Sequence, residues 1–151
     1  MDVQIRRAKL DEASRLTSLA LVSKAVWGYD ESFMEKCREE LTITVGYIRS
    51  CEVFVAILDE QIAGFYGLTV EESNGVLDYL YVSPKWLKQG IGRKLWEHLR
   101  HTAQSLNVKT ISIDAEPHAE NFYRAMGAER VGLTPSGSLP GRFLPLLQLT
   151  V

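Results

Sequence analysis

The sequence predicts a mixed α/β fold, a largely antiparallel sheet with helices packed on it. Three observations carry this. Apolar residues recur with period two in some stretches and with helical period in others, and the two kinds alternate along the chain. Three β-rich runs, "VFVAIL" (53 to 58), "IAGFYGLTV" (62 to 70) and "VLDYLYV" (76 to 82), follow one another with only short polar breaks, which suits consecutive antiparallel strands. Behind them Leu95, Leu99, Ala103 and Leu106 form an apolar helical face, and further strands come after it. The predicted order is β-α-α-β-β-β-α-β-α-β-β, in one domain over residues 1–151.

The elements follow in turn. Val3 and Ile5 alternate with Gln4 and Arg6 as a short strand, and Asp11 offers an N-cap to a helix carrying Ala13, Leu16 and Ala20 on one face. After the aromatic loop "VWGYD", Ser32 and Glu35 have the spacing of a capping box for a second helix through Phe33, Cys37 and Leu41. The three β-rich runs come next, with Asn74-Gly75 as a hairpin-type pair before the third. Pro84 and two glycines lead into the long helix, which ends near Asn107. "TISID" (110 to 114) is a strand, "AENFYRAM" a short helix closed by Gly127, and "AERV" another strand. "GLTPSGSLPGR" is a loop, and "FLPLLQL" a last strand for which Pro145 predicts an edge position or a bulge.

Composition excludes several classes. A hydrophobic share of 46% and a charged share of 24% are those of an ordinary globular chain. With 17 Lys+Arg against 19 Asp+Glu, the net charge of −2 argues against broad binding to nucleic acid or an anionic membrane. The acidic residues near the start do not suit a secretory signal, and no apolar run approaches a membrane span, so the cytoplasm is the expected location. Cys37 and Cys51 lack C-x-x-C spacing and are expected to be free. His98, His101 and His118 lack metal-ligand spacing, so no metal is expected.

The informative stretch is "WLKQGIGRKLW", residues 86 to 96. Gly90 and Gly92 leave the backbone bare where a helix begins, and a helix N-terminus presents unpaired N–H groups and partial positive charge to an anion. The dinucleotide fingerprint would need a third glycine where Leu95 stands, and the Walker pattern fails because Gly-Lys-Ser/Thr never occurs. The strand "LDYLYVSP" leads into this loop and "NFYRAMGA" follows about thirty residues after it. Together they resemble the GNAT superfamily of N-acetyltransferases over nearly the whole chain. That family's pyrophosphate loop reads Q/R-x-x-G-x-G/A. The glycines match Gly90 and Gly92, while the first position is Leu87.

The resemblance implies the GNAT fold, with the fourth and fifth strands (76 to 82 and 110 to 114) splayed to admit the pantetheine arm of acetyl-coenzyme A, the cosubstrate. It implies main-chain contacts to the coenzyme at Leu80 and near Val82, and pyrophosphate held by the amides of Lys88, Gln89, Gly90, Ile91, Gly92 and Arg93, with Tyr81 and Leu87 also in the coenzyme site. Glu116 stands where many members have an asparagine that touches the coenzyme. Phe122 and Tyr123 complete the implied coenzyme site.

In the implied reaction an amine attacks the thioester directly, through a tetrahedral intermediate. The Leu80 amide is the candidate oxyanion donor. Tyr123 matches the family's tyrosine that protonates the departing thiolate, since a phenol of pKa about 10 stays protonated at neutral pH. Asp78 is the first candidate for the base, by the period of two on the face of Leu80 and Val82, with Glu71, Asp114 and Glu116 in reserve. Trp27 and Tyr29 offer an aromatic wall for the acceptor, and Arg142 a fork for an acceptor carboxylate. The expected acceptor is a small-molecule amine. Acetylation of protein N-termini or lysines, and a non-catalytic coenzyme-binding module, are the alternatives. A homodimer through the C-terminal strand is also open.

Overall fold

The computed structural model describes residues 2–151, so Met1, the first residue of the expected domain, lies outside the described residues. The strands are β1 (Gln4–Arg7), β2 (Glu52–Leu58), β3 (Gln61–Glu71), β4 (Asn74–Val82), β5 (Thr110–Asp114), β6 (Glu129–Pro135) and β7 (Phe143–Thr150). The helices are α1 (Ala13–Ala25), α2 (Glu31–Cys37), α3 (Val45–Ser50), α4 (Ile91–Ser105) and α5 (Glu120–Ala125). The strands form one sheet in the order β1-β2-β3-β4-β5-β7-β6. Every neighbouring pair is antiparallel except β4 and β5, which α4 connects as a parallel crossover.

Each face of the sheet carries its own core. On one, Ile91, Leu95, Trp96, Leu99 and Ala103 of α4 meet Tyr66, Leu68, Ile111, Ile113 and Leu147. On the other, Leu16 and Ala20 of α1 pack with Cys37, Ile48, Val53, Val55 and Phe65. Leu106 does not join the α4 stripe: the helix ends at Ser105, and Leu106 is a half-exposed cap residue.

Several local expectations are corrected. A 3-10 turn, Leu10–Glu12, precedes α1, and Glu12 rather than Asp11 serves its entry by accepting from the Lys9 amide at 2.8 Å. Asp30, not Ser32, caps α2 through the Phe33 amide at 2.8 Å, and Leu41 lies beyond the helix. The unexpected helix is α3, capped by Thr44 through the Tyr47 amide. The β3–β4 turn is Glu72-Ser73, because Asn74 pairs with Glu71 and its side chain accepts from Thr110 Oγ1, drawing it into the sheet. Strand β7 is interior, with β6 at the edge. Pro145 is tolerated there because its carbonyl, and so its missing N–H, faces β5 just past that strand's end, where the carbonyl accepts from the Ala115 amide at 2.9 Å.

Candidate active site

The site begins where two strands part. Strands β4 and β5 pair only from Asn74 with Thr110 to Leu77 with Ile113, leaving residues 78 to 82 of β4 without a β5 partner. On the other side of β4, the Ser83 amide donates to Ala63 O at 2.8 Å, which fixes the alternation of the ladder. Tyr79 and Tyr81 therefore turn their N–H and C=O toward β3, and Leu80 and Val82 turn theirs into the gap. Such groups need partners. The Val82 carbonyl has one within the chain, accepting from Ser23 Oγ of α1 at 2.9 Å, a contact that no feature of the sequence signals. A cavity of about 150 Å³ occupies the gap, walled by Leu80, Val82, Leu87, Ile113, Ala119 and Tyr123.

The glycine loop follows Leu87, which lines this cavity, and Gly92 neighbours Val82 and Phe122. Gly90 caps α4 at φ +80° and Lys88 also has positive φ, at 62°, so the backbone coils back on itself. No side chain caps α4, and its first recorded backbone bond is Lys94 N to Gly90 O at 3.1 Å. Among the described residues, the amides of Ile91, Gly92 and Arg93 have no protein acceptor. A Cβ on Gly92 would meet only ordinary contacts, 3.5 Å from Phe122 and 3.7 Å from Val82, so the chain's own packing does not demand glycine there. Leu87, in place of the family's polar residue, lines the gap and adds apolar wall.

Short helix α5 brings Tyr123 to the gap's far wall. Its ring packs against Trp96 at 5.8 Å and Phe122 at 5.5 Å, both centroid to centroid. Burial, and after it the charge of Glu116, raises the phenol's pKa well above its ordinary value of 10.0, so the group keeps its proton at neutral pH.

A second cavity of about 210 Å³ opens from the opposite face of the sheet and shares Leu77, Asp78, Tyr81, Asp114 and Glu116 with the first. Its walls carry the carboxylates of Glu40, Asp78, Asp114 and Glu116 and one cation, Lys24. Burial, then the nearby charges of Glu40 and Asp78, raises the Asp114 carboxyl above its ordinary range. Asp78 does not share the face of Leu80 and Val82. It is the extra residue of a β-bulge, since Gly67 pairs with Tyr79 and Leu68 with Leu77. Its Oδ2 accepts from Tyr47 Oη and Thr69 Oγ1, each at 2.6 Å, on the α3 side. A larger hollow of about 580 Å³ behind α1, lined by Arg6, Arg15, Leu19 and Gln61, includes neither the glycine loop nor Tyr123.

The predicted acceptor residues form a mutually bonded cluster beside these cavities. Trp27 stacks on His118 with centroids 4.6 Å apart and planes 5° from parallel, and it borders the gap. Tyr29 Oη donates to Glu116 Oε1, and Arg142 donates to Tyr29 Oη at 3.3 Å while lying 4.8 Å above the Phe33 ring. Tyr29 and Arg142 line neither cavity. Burial, then the bond to Glu116, pushes the Tyr29 phenol up to about 12. Burial disfavours the Glu116 carboxylate, yet hydrogen bonds from Tyr29 and His118 and the charge of Lys24 outweigh it and hold the group below its ordinary range. Lys24 Nζ lies 3.4 Å from Glu116 Oε2, an ion pair without hydrogen-bond geometry. Glu116 is thus drawn toward α1 and the aromatic cluster. Glu71 lies at the far turn of β3, and the free thiols Cys37 and Cys51 are in neither cavity. Among the described residues no cluster of His, Cys, Asp and Glu could hold a metal, and no helix is long and apolar enough to cross a membrane.

Comparison with known proteins bears on the family and the fold. The family model of the acetyltransferase (GNAT) domain matches residues 23–135. A peptidyl-lysine N-acetyltransferase of Salmonella typhimurium, YjaB, is 29% identical over 151 residues, covering 99% of this chain and 98% of its own. The PaiA N-acetyltransferase of Thermoplasma acidophilum, solved with coenzyme A, superposes with a TM-score of 0.84 at 17% identity over 100% of both chains. The ribosomal-protein-S18-alanine N-acetyltransferase of Escherichia coli superposes at 0.73 with 16% identity, over 99% of this chain and 94% of its own. At such identities the two structures speak for the fold alone. The chain belongs to the GNAT family and is an acetyl-coenzyme-A-dependent N-acetyltransferase.

Proposed function

We propose that the chain acetylates a primary amine of a small molecule by direct attack in a ternary complex. The observation that carries this is the meeting of two cavities at the parting of β4 and β5, one walled by Tyr123 and by Leu87 just ahead of the glycine loop, the other by carboxylates. Acetyl-coenzyme A fits the first: pyrophosphate at the free amides of Ile91 to Arg93, pantetheine amides against the gap-facing backbone of Leu80 and Val82. When bound, it supplies an acyl carbon activated as a thioester. The acceptor enters from the acidic cavity, whose charge suits a cationic amine.

The chain's residues then have separate tasks. Asp78 takes a proton from the ammonium, and the freed nitrogen lone pair attacks the thioester carbonyl. The Leu80 N–H, directed into the gap, stabilises the oxyanion. Collapse of the intermediate breaks the carbon–sulphur bond, Tyr123 donates its proton to sulphur, and the second proton of the new amide nitrogen is released to water, from which the Tyr123 phenolate is reprotonated. Burial keeps the Tyr123 phenol protonated in the resting site, so a donor stands ready as negative charge develops on sulphur.

Peptidyl-lysine is the second acceptor reading, favoured by the relative YjaB, which covers nearly the whole chain. The distinguishing experiment is release of coenzyme A from acetyl-coenzyme A with 1,4-diaminobutane, free lysine and lysine-containing peptides as acceptor probes. Turnover of the small amines supports the proposal, and turnover confined to peptides overturns it in favour of the second reading. Coenzyme binding with every amine left untouched would overturn both and leave a binding module.

A further inference from the structure

We propose that Tyr47 is a positioning residue for Asp78, and that the absence of a side chain at Gly67 is what lets it act. The inference rests on the reading of Asp78 as the base and goes beyond it. An exposed carboxylate on a strand is ordinarily free to rotate, and a base must be held where the proton is. Here two hydroxyls, Tyr47 Oη and Thr69 Oγ1, both donate to Oδ2. Among the described residues, no donor reaches Oδ1. One oxygen is anchored and the other is left for the acceptor.

The anchoring is built from three elements. The bulge turns Asp78 out of the alternation of β4 and toward α3, while Leu80 still directs its amide into the gap. The Thr44 cap holds the start of α3 by bonding the amide of Tyr47 itself at 3.0 Å. The ring then crosses β3 at Gly67, where a Cβ would stand 2.6 Å from Tyr47 Oη, 2.9 Å from Tyr47 Cε2 and 3.0 Å from Tyr79 Cδ2. Any side chain there displaces the phenol. Tyr79 closes the other side of the ring edge-on, with centroids 5.3 Å apart. Burial, then the bond to Asp78, raises the Tyr47 pKa far above its ordinary value, so the phenol remains a donor wherever the enzyme works.

The test is a double-mutant cycle on the full chain, measured as coenzyme A release with 1,4-diaminobutane and Nα-acetyl-lysine as probes. D78N is expected to lower kcat about a hundred-fold, and Y47F about ten-fold with the KM for acetyl-coenzyme A unchanged. The Y47F/D78N double variant is expected to be no slower than D78N, because Tyr47 acts only through the carboxylate. Gly67→Ala, which leaves both partners chemically intact, should match Y47F. A ten-fold loss from Y47F that persists in the D78N background means Tyr47 serves packing, and overturns the inference alone. Full activity in Y47F does the same. Unimpaired D78N, or no turnover of either probe by the unaltered chain, overturns the reading beneath it.

Discussion

At the scale of single residues, Tyr123 is the sharpest test of the chemistry. It is buried, meets no hydrogen-bond partner among the described residues, and borders the gap where a thioester sulphur would leave. Tyr123→Phe keeps the ring that packs on Trp96 and removes only the proton. The expected result is a loss in kcat of about a hundred-fold with binding of acetyl-coenzyme A nearly unchanged, measured by steady-state kinetics beside calorimetric titration. Because its pKa lies above 10.0, no loss of activity through Tyr123 ionisation is expected below that pH. The place of Tyr123 at the gap was legible because its neighbours form a motif. Asp78 was legible as a residue but not as a direction. Period-two counting has no term for an inserted residue, so the bulge opposite Gly67 and Leu68 reversed the face it was assigned. Tyr47 was invisible for a related reason: its partner comes from a strand thirty-one residues away. Trp27, Tyr29 and Arg142 lie in one cluster, but their stacking and bonding through His118, Glu116 and Phe33 is a matter of packing that composition does not encode.

Elements were legible in kind more than in their ends. The strands that bury a face were marked by their hydrophobic runs. Strand β6, however, is exposed along nearly its whole length and runs on to Pro135 through residues 132 to 135, read as loop, because no buried face marks its end. The helix starts depended on which of several polar residues closes the cap. At α1 that residue is Glu12, which is 4% exposed and accepts from both Arg6 guanidinium nitrogens, at 3.0 and 2.8 Å, as well as from the Lys9 amide. The Arg6 hydrogen bond holds its carboxyl below the ordinary 4.5, against burial, which acts the other way. A carboxyl whose pKa is lower folded than unfolded adds stability above its unfolded value, and that contribution disappears as pH falls through the folded one. Glu12→Gln should therefore cost about 2 kcal/mol at pH 7. The difference from the unaltered chain should shrink as the pH drops below 4.5, read from urea midpoints on either side of that value. Helix α3 was missed because six residues are too few to show a period, although Thr44 caps it in the ordinary way.

For the molecule as a whole, two cores on opposite faces hold one sheet, and the sheet is incomplete between β4 and β5. Most of the ladder is closed by the chain itself, so its amides should resist exchange whether or not a ligand is present. The amides of Leu80, Val82 and residues 91 to 93 are different: they face the gap or the mouth of α4 and meet no protein acceptor among the described residues. Acetyl-coenzyme A would bridge β4, the start of α4 and α5 across the gap. Hydrogen exchange followed by mass spectrometry should therefore show protection gained in residues 78 to 93 and around Tyr123, with β1, β2 and the β6 edge unchanged. At a hundred times its dissociation constant the coenzyme should also add about 2.7 kcal/mol to global stability, raising Tm by about 5–10 °C. Protection spread evenly over the sheet would mean that binding stabilises the fold without closing the gap. Protection centred on the hollow behind α1 would move the coenzyme to that side of the molecule.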